Sequence, residues 1–243
     1  MPLSTLTGGG TWNPLRLPGL LGWFNVNPDF VTIDGTPNVL TWRSRHSAAL
    51  TLTAGGGPGW LPNGWGTAIP AIDMSQASSD VLSTTTASIV APGNATDAPF
   101  SLFCTFQPTV VADHTIACWQ AAAGNSLSCL RMNNSGTGVL RYRRTDAAAS
   151  NVDVDGTSEL GFFRHRVGVL FTGTSVSIYL DGAIEVGPTA SNVGALTCDT
   201  FKIGSGPGID AFTGLVQDVV VMNQAVTPAD YLAYYNWSRR TVG

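Results

Sequence analysis

The stretch Phe212-Thr-Gly-Leu-Val-Gln-Asp-Val-Val-Val-Met-Asn-Gln-Ala-Val-Thr-Pro228 decides the fold. Leu215 to Met222 is a short apolar run interrupted only by Gln217 and Asp218, the length and composition of a buried strand. Five residues later the pattern changes. Thr227 can cap free amide hydrogens, Pro228 fits the first helical position, and Asp230 stands where a capping box places its acid. Tyr231, Leu232 and Tyr235 give the following segment an apolar face, while Arg239 and Arg240 complement the negative end of the helix dipole. The chain therefore ends on a strand followed by one short helix.

Working back from this stretch, fourteen further short apolar or alternating runs precede it. They are Leu20–Phe24, Val39–Trp42, Leu50–Thr53, Ala68–Asp73, Val81–Thr84, Phe100–Gln107, Thr115–Gln120, Leu127–Met132, Val139–Arg143, Val152–Val154, Phe163–Phe171, Val176–Leu180, Ala183–Val186 and Thr200–Ile203. Turn residues separate them at intervals typical of a sandwich or barrel. One hairpin reads in detail: Val176, Ile178 and Leu180 alternate with polar neighbours, and Asp181-Gly182 supplies the tight turn. Trp23, Trp42 and Trp119 fall inside strand-like runs and read as core fillers. The first eighteen residues, broken by Gly8–Gly10 and by Pro2, Pro14 and Pro18, read as an extended arm ahead of one domain over residues 19–243.

Composition supports the same class. Of 243 residues 44% are hydrophobic, enough for a large core, and only 12% are charged against a usual share of about a quarter. A single lysine (Lys202) and two glutamates (Glu159 and Glu185) stand against eleven arginines and fourteen aspartates, which argues against a helical bundle. The net charge of −4 argues against a nucleic-acid binder. No apolar run approaches a membrane span, and the opening residues lack the pattern of a secretory signal, so assembly in a cytosol is expected. The spacing of Cys104, Cys118, Cys129 and Cys198 fits no zinc pattern; buried free thiols are the favoured reading, with a disulfide left open.

The closing stretch also resembles the last strand of the laminin-G-like, concanavalin-A-like jelly roll, F-x-G-x-I-D-E-V-R-I-Y-N-R-A-L-S. Phe212, Gly214, Val219, Asn223 and Ala225 match outright, and Gln217-Asp218 occupy the place of Asp-Glu. Phe201-Lys-Ile-Gly204 is similar to the family's L-x-I-G strand, and His165–Gly173 with Val176–Gly182 to its W-H-H-V-A-V and L-Y-V-D-G strands. Leu20–Phe24, Val39–Ser44 and Ile69–Asp73 resemble the opening of a longer variant, so the likeness covers residues 12–240. It implies an all-β, two-sheet antiparallel jelly-roll sandwich with a short C-terminal helix. Calcium, bound by some members at strand-end loops, is implied by the resemblance only; no cofactor is otherwise expected. The phrase Trp12 to Leu20 resembles openings frequent in bacteriophage structural proteins and bacterial surface proteins.

Catalytic chemistry finds no support. The E-x-D-x-x-E strand of related glucanases needs paired carboxylates about 5–5.5 Å apart, and the two glutamates here are far apart in sequence. Asp153 and Asp155 would share a strand face and begin a calcium-like Asp-x-Asp-Gly phrase; the favoured reading is the solvated face of an edge strand entering a turn at Gly156. His46, His114 and His165 show no ligand spacing, and His165 reads as a satisfied core or boundary histidine. The glycine-rich Gly55–Gly59 and Gly204–Gly208 lead into no helix and read as loops.

The candidate ligand-binding residues are Trp60 and Trp65, placed in a proline–glycine loop where aromatic rings stack on sugars or partners, and Arg141 and Arg143, which share a strand face and could grip a carboxylate. No catalytic or metal-ligating residue is singled out. The expected function is a non-enzymatic virion structural protein, a capsid decoration, head-fibre or tail-associated subunit. It would be a homo-oligomer that docks other virion proteins through its arm and binds surface glycans weakly. The alternative is a carbohydrate-binding module of a bacterial surface protein.

Overall fold

A computed structural model describes residues 12–65, 69–74, 80–93, 97–122, 126–133, 138–206 and 210–240. The first strands are β1 (Leu20–Asn25), β2 (Val31–Ile33), β3 (Val39–Arg43), β4 (Thr51–Gly55), β5 (Gly59–Leu61), β6 (Ala71–Asp73) and β7 (Val81–Thr84), ahead of a one-turn helix α1 (Ala87–Val90). There follow β8 (Phe100–Pro108), β9 (His114–Gln120), β10 (Leu127–Asn133), β11 (Val139–Thr145), β12 (Asn151–Glu159), β13 (His165–Phe171), β14 (Ser175–Leu180) and β15 (Ala183–Ala190). The chain continues through β16 (Thr200–Ile203), β17 (Asp210–Ala211), β18 (Gly214–Met222) and the helix α2 (Pro228–Arg240).

Two sheets stack as a sandwich. One runs β15-β14-β13-β8-β18-β6-β5, with β1 also paired to β18; the other runs β12-β11-β10-β9-β16-β7-β4-β3-β2, with β17 on β9. Among the described residues every pairing is antiparallel except the two-residue β17–β9 contact. The strand rhythm called for a sandwich or barrel; the two-sheet jelly-roll sandwich that the family resemblance implied is the fold observed. Each of the fifteen runs singled out in the sequence overlaps a strand; β2, β5 and β17, at most three residues long, have no periodicity to show.

The inner faces meet over Trp42, Trp119, Phe100, Phe106, Phe171 and Tyr142, all fully buried, with Trp119 Nε1 donating to the Ile89 carbonyl at 2.7 Å. A second apolar layer forms outside the sandwich, where α2 lies across the smaller sheet on Trp23, Phe103, Tyr179 and Val220. The capping box is present: the Thr227 amide donates to Asp230 Oδ2 (2.9 Å) and the Asp230 amide to Thr227 Oγ1 (3.3 Å). The buried face of α2 differs from the expected one. Tyr231, Tyr234 and Ser238 point inward, while Leu232 is 46% exposed, because the row spaced three and four residues apart follows the sheet surface.

The hairpin turns at Asp181-Gly182, both at positive φ (49° and 94°), and the chain reverses with Leu180 opposite Ala183. His165 is buried and satisfied, its ring nitrogens at 2.8 Å from Asp181 Oδ2 and 3.0 Å from the Gly161 carbonyl. Residues 1–11 of the expected arm lie outside the described residues. Of the remainder, Pro14–Arg16 forms a 3-10 turn, Leu17 is buried, and Trp12 packs on Trp237 with ring centres 6.2 Å apart. Residues 12–17 are thus folded onto the domain. Cys118 and Cys129, directly opposite on β9 and β10, form a disulfide, whereas Cys104 and Cys198 are free and buried. The favoured reading of four free thiols is corrected by strand register, which the sequence spacing did not reveal.

Candidate functional site

The predicted ligand residues do not come together. Trp60 is corrected from loop to strand: it lies on β5 opposite Ile72, its amide donates to the Pro37 carbonyl, and it is 9% exposed within the main core. The flanking prolines and glycines hid a three-residue strand that pairs with β6 on one side and bridges Asn38 through Gly59 on the other. Trp65 stays in a turn, half-buried, with the Arg164 guanidinium 5.3 Å from its ring centre.

Arg141 and Arg143 do share the outer face of β11, but they are not free. In register, Arg141 faces Asp155 and Arg143 faces Asp153 on β12, and both guanidinium groups bind these carboxylates in two-pronged fashion. Arg141 Nη1 also lies 3.3 Å from Asp153 Oδ2. The aspartates expected to face solvent therefore close the arginines instead, and Gly156 lies within β12 rather than in a turn. Long guanidinium side chains span one ladder spacing easily. Two motifs read separately in sequence are one ion-pair cluster. That cluster does not fit the implied calcium site, since both carboxylates are spent on cations. Among the described residues no group of three or more His, Cys, Asp or Glu is placed to hold a metal.

A cleft of about 420 Å³ opens elsewhere, between the end of β1, the bulge of β18 and the last turn of α2. Its walls include Asn25, Asn27, Arg45, Gln217 and Trp237. Each is held by a local cause. Asn27 accepts from the Asp29 amide at 3.0 Å and so fixes the turn that follows β1. Arg45 is tied by its own amide to the Trp23 carbonyl (2.8 Å), and its guanidinium lies 4.4 Å from the Trp23 ring centre and 5.2 Å from that of Phe30. Trp237 packs edge-on against Trp23 at 5.5 Å.

Gln217 owes its position to a β-bulge. On β8, Phe106 faces Val216 and Thr105 faces Asp218, so Gln217 has no partner in that ladder. Its carbonyl accepts instead from the Val26 amide (3.2 Å), and its side chain lines the cleft. Gln217 is only 4% exposed, yet its Oε1 has no hydrogen-bond partner. A buried amide oxygen left unpaired costs about 1–3 kcal/mol, and bulges that re-aim side chains recur beside functional sites.

Beneath the cleft runs a polar row on the outer face of the smaller sheet: Arg166, Thr105, Asp218 and Asn25 on neighbouring strands. Helix α2 covers it, with Ser238 Oγ accepting from Arg166 Nε (2.9 Å) and the Tyr234 hydroxyl 2.8 Å from Thr105 Oγ1. Asp218 Oδ1 accepts from Trp23 Nε1 (2.8 Å) and Asn25 Nδ2 (3.1 Å), while Oδ2 has no partner. Complete burial pushes the Asp218 carboxyl up to about 7, against the pull of the Trp23 and Asn25 bonds and the charges of Arg45 and Arg166. A carboxyl tuned this way resembles a general acid. Glycoside hydrolysis needs a second carboxylate across the bond, and neither Asp nor Glu stands among the cleft's described lining residues. The cleft brings an aromatic ring, amides and a guanidinium onto one concave surface, groups suited to holding a ligand, with the unpaired Gln217 acceptor buried at its edge.

Residues 82–230 match the laminin-G family model described as the concanavalin A-like lectin/glucanases superfamily, and the chain belongs to that family. No curated protein sequence matches it significantly. Among solved structures, domain 4 of AbnA, an extracellular GH43 arabinanase of Geobacillus stearothermophilus determined with arabinotriose, is similar over 89% of this chain and 98% of its own. Identity there is 13% and the TM-score 0.62. Trypanosoma rangeli sialidase is similar at 15% identity and TM-score 0.64, covering 94% of this chain, which spans only 34% of the sialidase. The binding domain of Paraclostridial Mosquitocidal Protein 1 is similar at 9% identity and TM-score 0.64, over 90% of this chain and 52% of that one. At these identities the likeness is one of fold.

Proposed function

We propose that the chain is a carbohydrate-binding domain that holds a sugar in the cleft between β1, β18 and α2 without hydrolysing it. The observation that carries the reading is the cleft's lining, Trp237 and Asn27 beside Gln217, a buried amide whose Oε1 lacks a partner. With its amide turned outward, Gln217 would take a sugar hydroxyl while the pyranose or furanose face rests on the indole, the division of labour aromatic rings and amides suit best. Superfamily membership supports the reading, as does the arabinotriose complex of the arabinanase domain. None of the similar structures named above is a virion protein, and the virion role expected from the opening phrase is not carried forward.

The test is a glycan array followed by calorimetry on the full chain, with Trp237→Ala and Gln217→Leu. At least a tenfold loss of affinity in each variant is expected, with the folded spectrum retained. Unaltered binding in both would refute the assignment of the cleft.

A further inference from the structure

Resting on that reading of the cleft, we infer that its ligand carries a carboxylate, as uronic and sialic acid units do, and that Arg45 selects it. Arg45 is exposed and makes no hydrogen bond or ion pair through its guanidinium among the described residues, unlike Arg131, Arg141, Arg143 and Arg144, each paired with an aspartate. It is nevertheless held in place. Its amide is tied to Trp23, and the guanidinium lies within cation–π range of both Trp23 and Phe30, which orders a side chain that is otherwise costly to fix.

A guanidinium over aromatic rings still has its N–H edge to give, and that edge fits a carboxylate in two-pronged fashion. The neighbouring walls add no competing anion. Asn25, Asn27, Gln217 and Trp237 are neutral, and Asp218, which feels the Arg45 charge, is fully buried and forms no ion pair with it among the described residues. A neutral sugar would satisfy Gln217 but leave Arg45 unused; an acidic sugar engages both.

The experiment compares trigalacturonate with its fully methyl-esterified counterpart, and 3′-sialyllactose with lactose, by calorimetry on the full chain at pH 6. Arg45→Gln and Arg45→Lys are measured alongside. The expected result is at least tenfold tighter binding of one acid form over its neutral partner. Arg45→Gln should erase that preference, bringing the acid and neutral forms to within twofold of each other, and Arg45→Lys should restore only part of it. Equal binding of acid and neutral forms, still lost with Trp237→Ala, overturns this inference and leaves the cleft assignment standing. A preference that survives Arg45→Gln overturns it likewise. Binding of none of the four probes, with neutral glycans bound on an array through Trp237, again overturns the acidic specificity alone; no glycan bound at all overturns both.

Discussion

Replacing Asp218 with asparagine should remove most of the pH dependence of stability between pH 4 and pH 7. Asp218 is fully buried, and its carboxyl is raised from 3.8 to about 7 chiefly by that burial. Between these two values the folded chain binds one more proton than the unfolded chain, so stability falls as pH rises through the window and levels off above it. At about 1.4 kcal/mol per pH unit, charging Asp218 inside the fold costs about 4 kcal/mol. Asparagine keeps an oxygen for Trp23 Nε1 and Asn25 Nδ2 and never ionises, though its amide hydrogens meet the same unpartnered corner as the protonated acid. Carboxylates held below their ordinary values, such as Asp153 and Glu185, act at lower pH and in the opposite sense. They cancel in the difference between the two proteins. Urea unfolding followed by tryptophan fluorescence at half-unit steps from pH 4.5 to 8.5 reads that difference directly. The variant should gain on the parent progressively, by about 3–4 kcal/mol at pH 8. Parallel curves across the range would refute the buried, proton-holding Asp218.

Three other outcomes follow from the packing. Arg141→Ala and Arg143→Ala, breaking partly exposed ion pairs on β11, should each cost about 1 kcal/mol or less in chemical denaturation and leave glycan affinity unchanged; a loss of binding would return those arginines to the site. In guanidinium without reductant, a thiol reagent should titrate two cysteines, Cys104 and Cys198, and four after reduction; four at the outset would rule out the Cys118–Cys129 bond. Tyr231→Phe removes a hydroxyl that donates to the buried Arg166 carbonyl at 2.7 Å and accepts from the Gly182 amide at 3.3 Å. A loss of about 1–2 kcal/mol is expected in thermal or urea unfolding, and an unchanged midpoint would show that water replaces it.

The fold was legible because its signals are local. Alternation in Val176–Leu180, the Asp181-Gly182 turn and the Thr227–Asp230 cap each fit within a few residues, and each is found where the sequence put it. The site was not legible, because it depends on register. Arg141 and Asp155 are fourteen residues apart and meet only through the β11–β12 ladder. Asn25 and Asp218 lie at opposite ends of the chain and touch because β1 pairs with β18. One signal was available within the closing stretch itself. Gln217-Asp218 is a polar pair inside an apolar strand, in the place where the family has Asp-Glu, and two adjacent polar residues cannot both alternate outward without a bulge. Trp237 gave no such hint, since its partner Trp23 is more than two hundred residues away in the chain.

The decisive question is where a sugar sits on the protein. Titrating trigalacturonate into isotopically labelled full-length chain and following side-chain resonances locates it in one measurement. The Trp237 indole and the Gln217 side-chain amide should shift together, with Trp60 and Trp119 unmoved in the core. Shifts gathered instead at Trp65 and Arg164, or over Arg141 and Arg143 on the larger sheet, would contradict the cleft assignment.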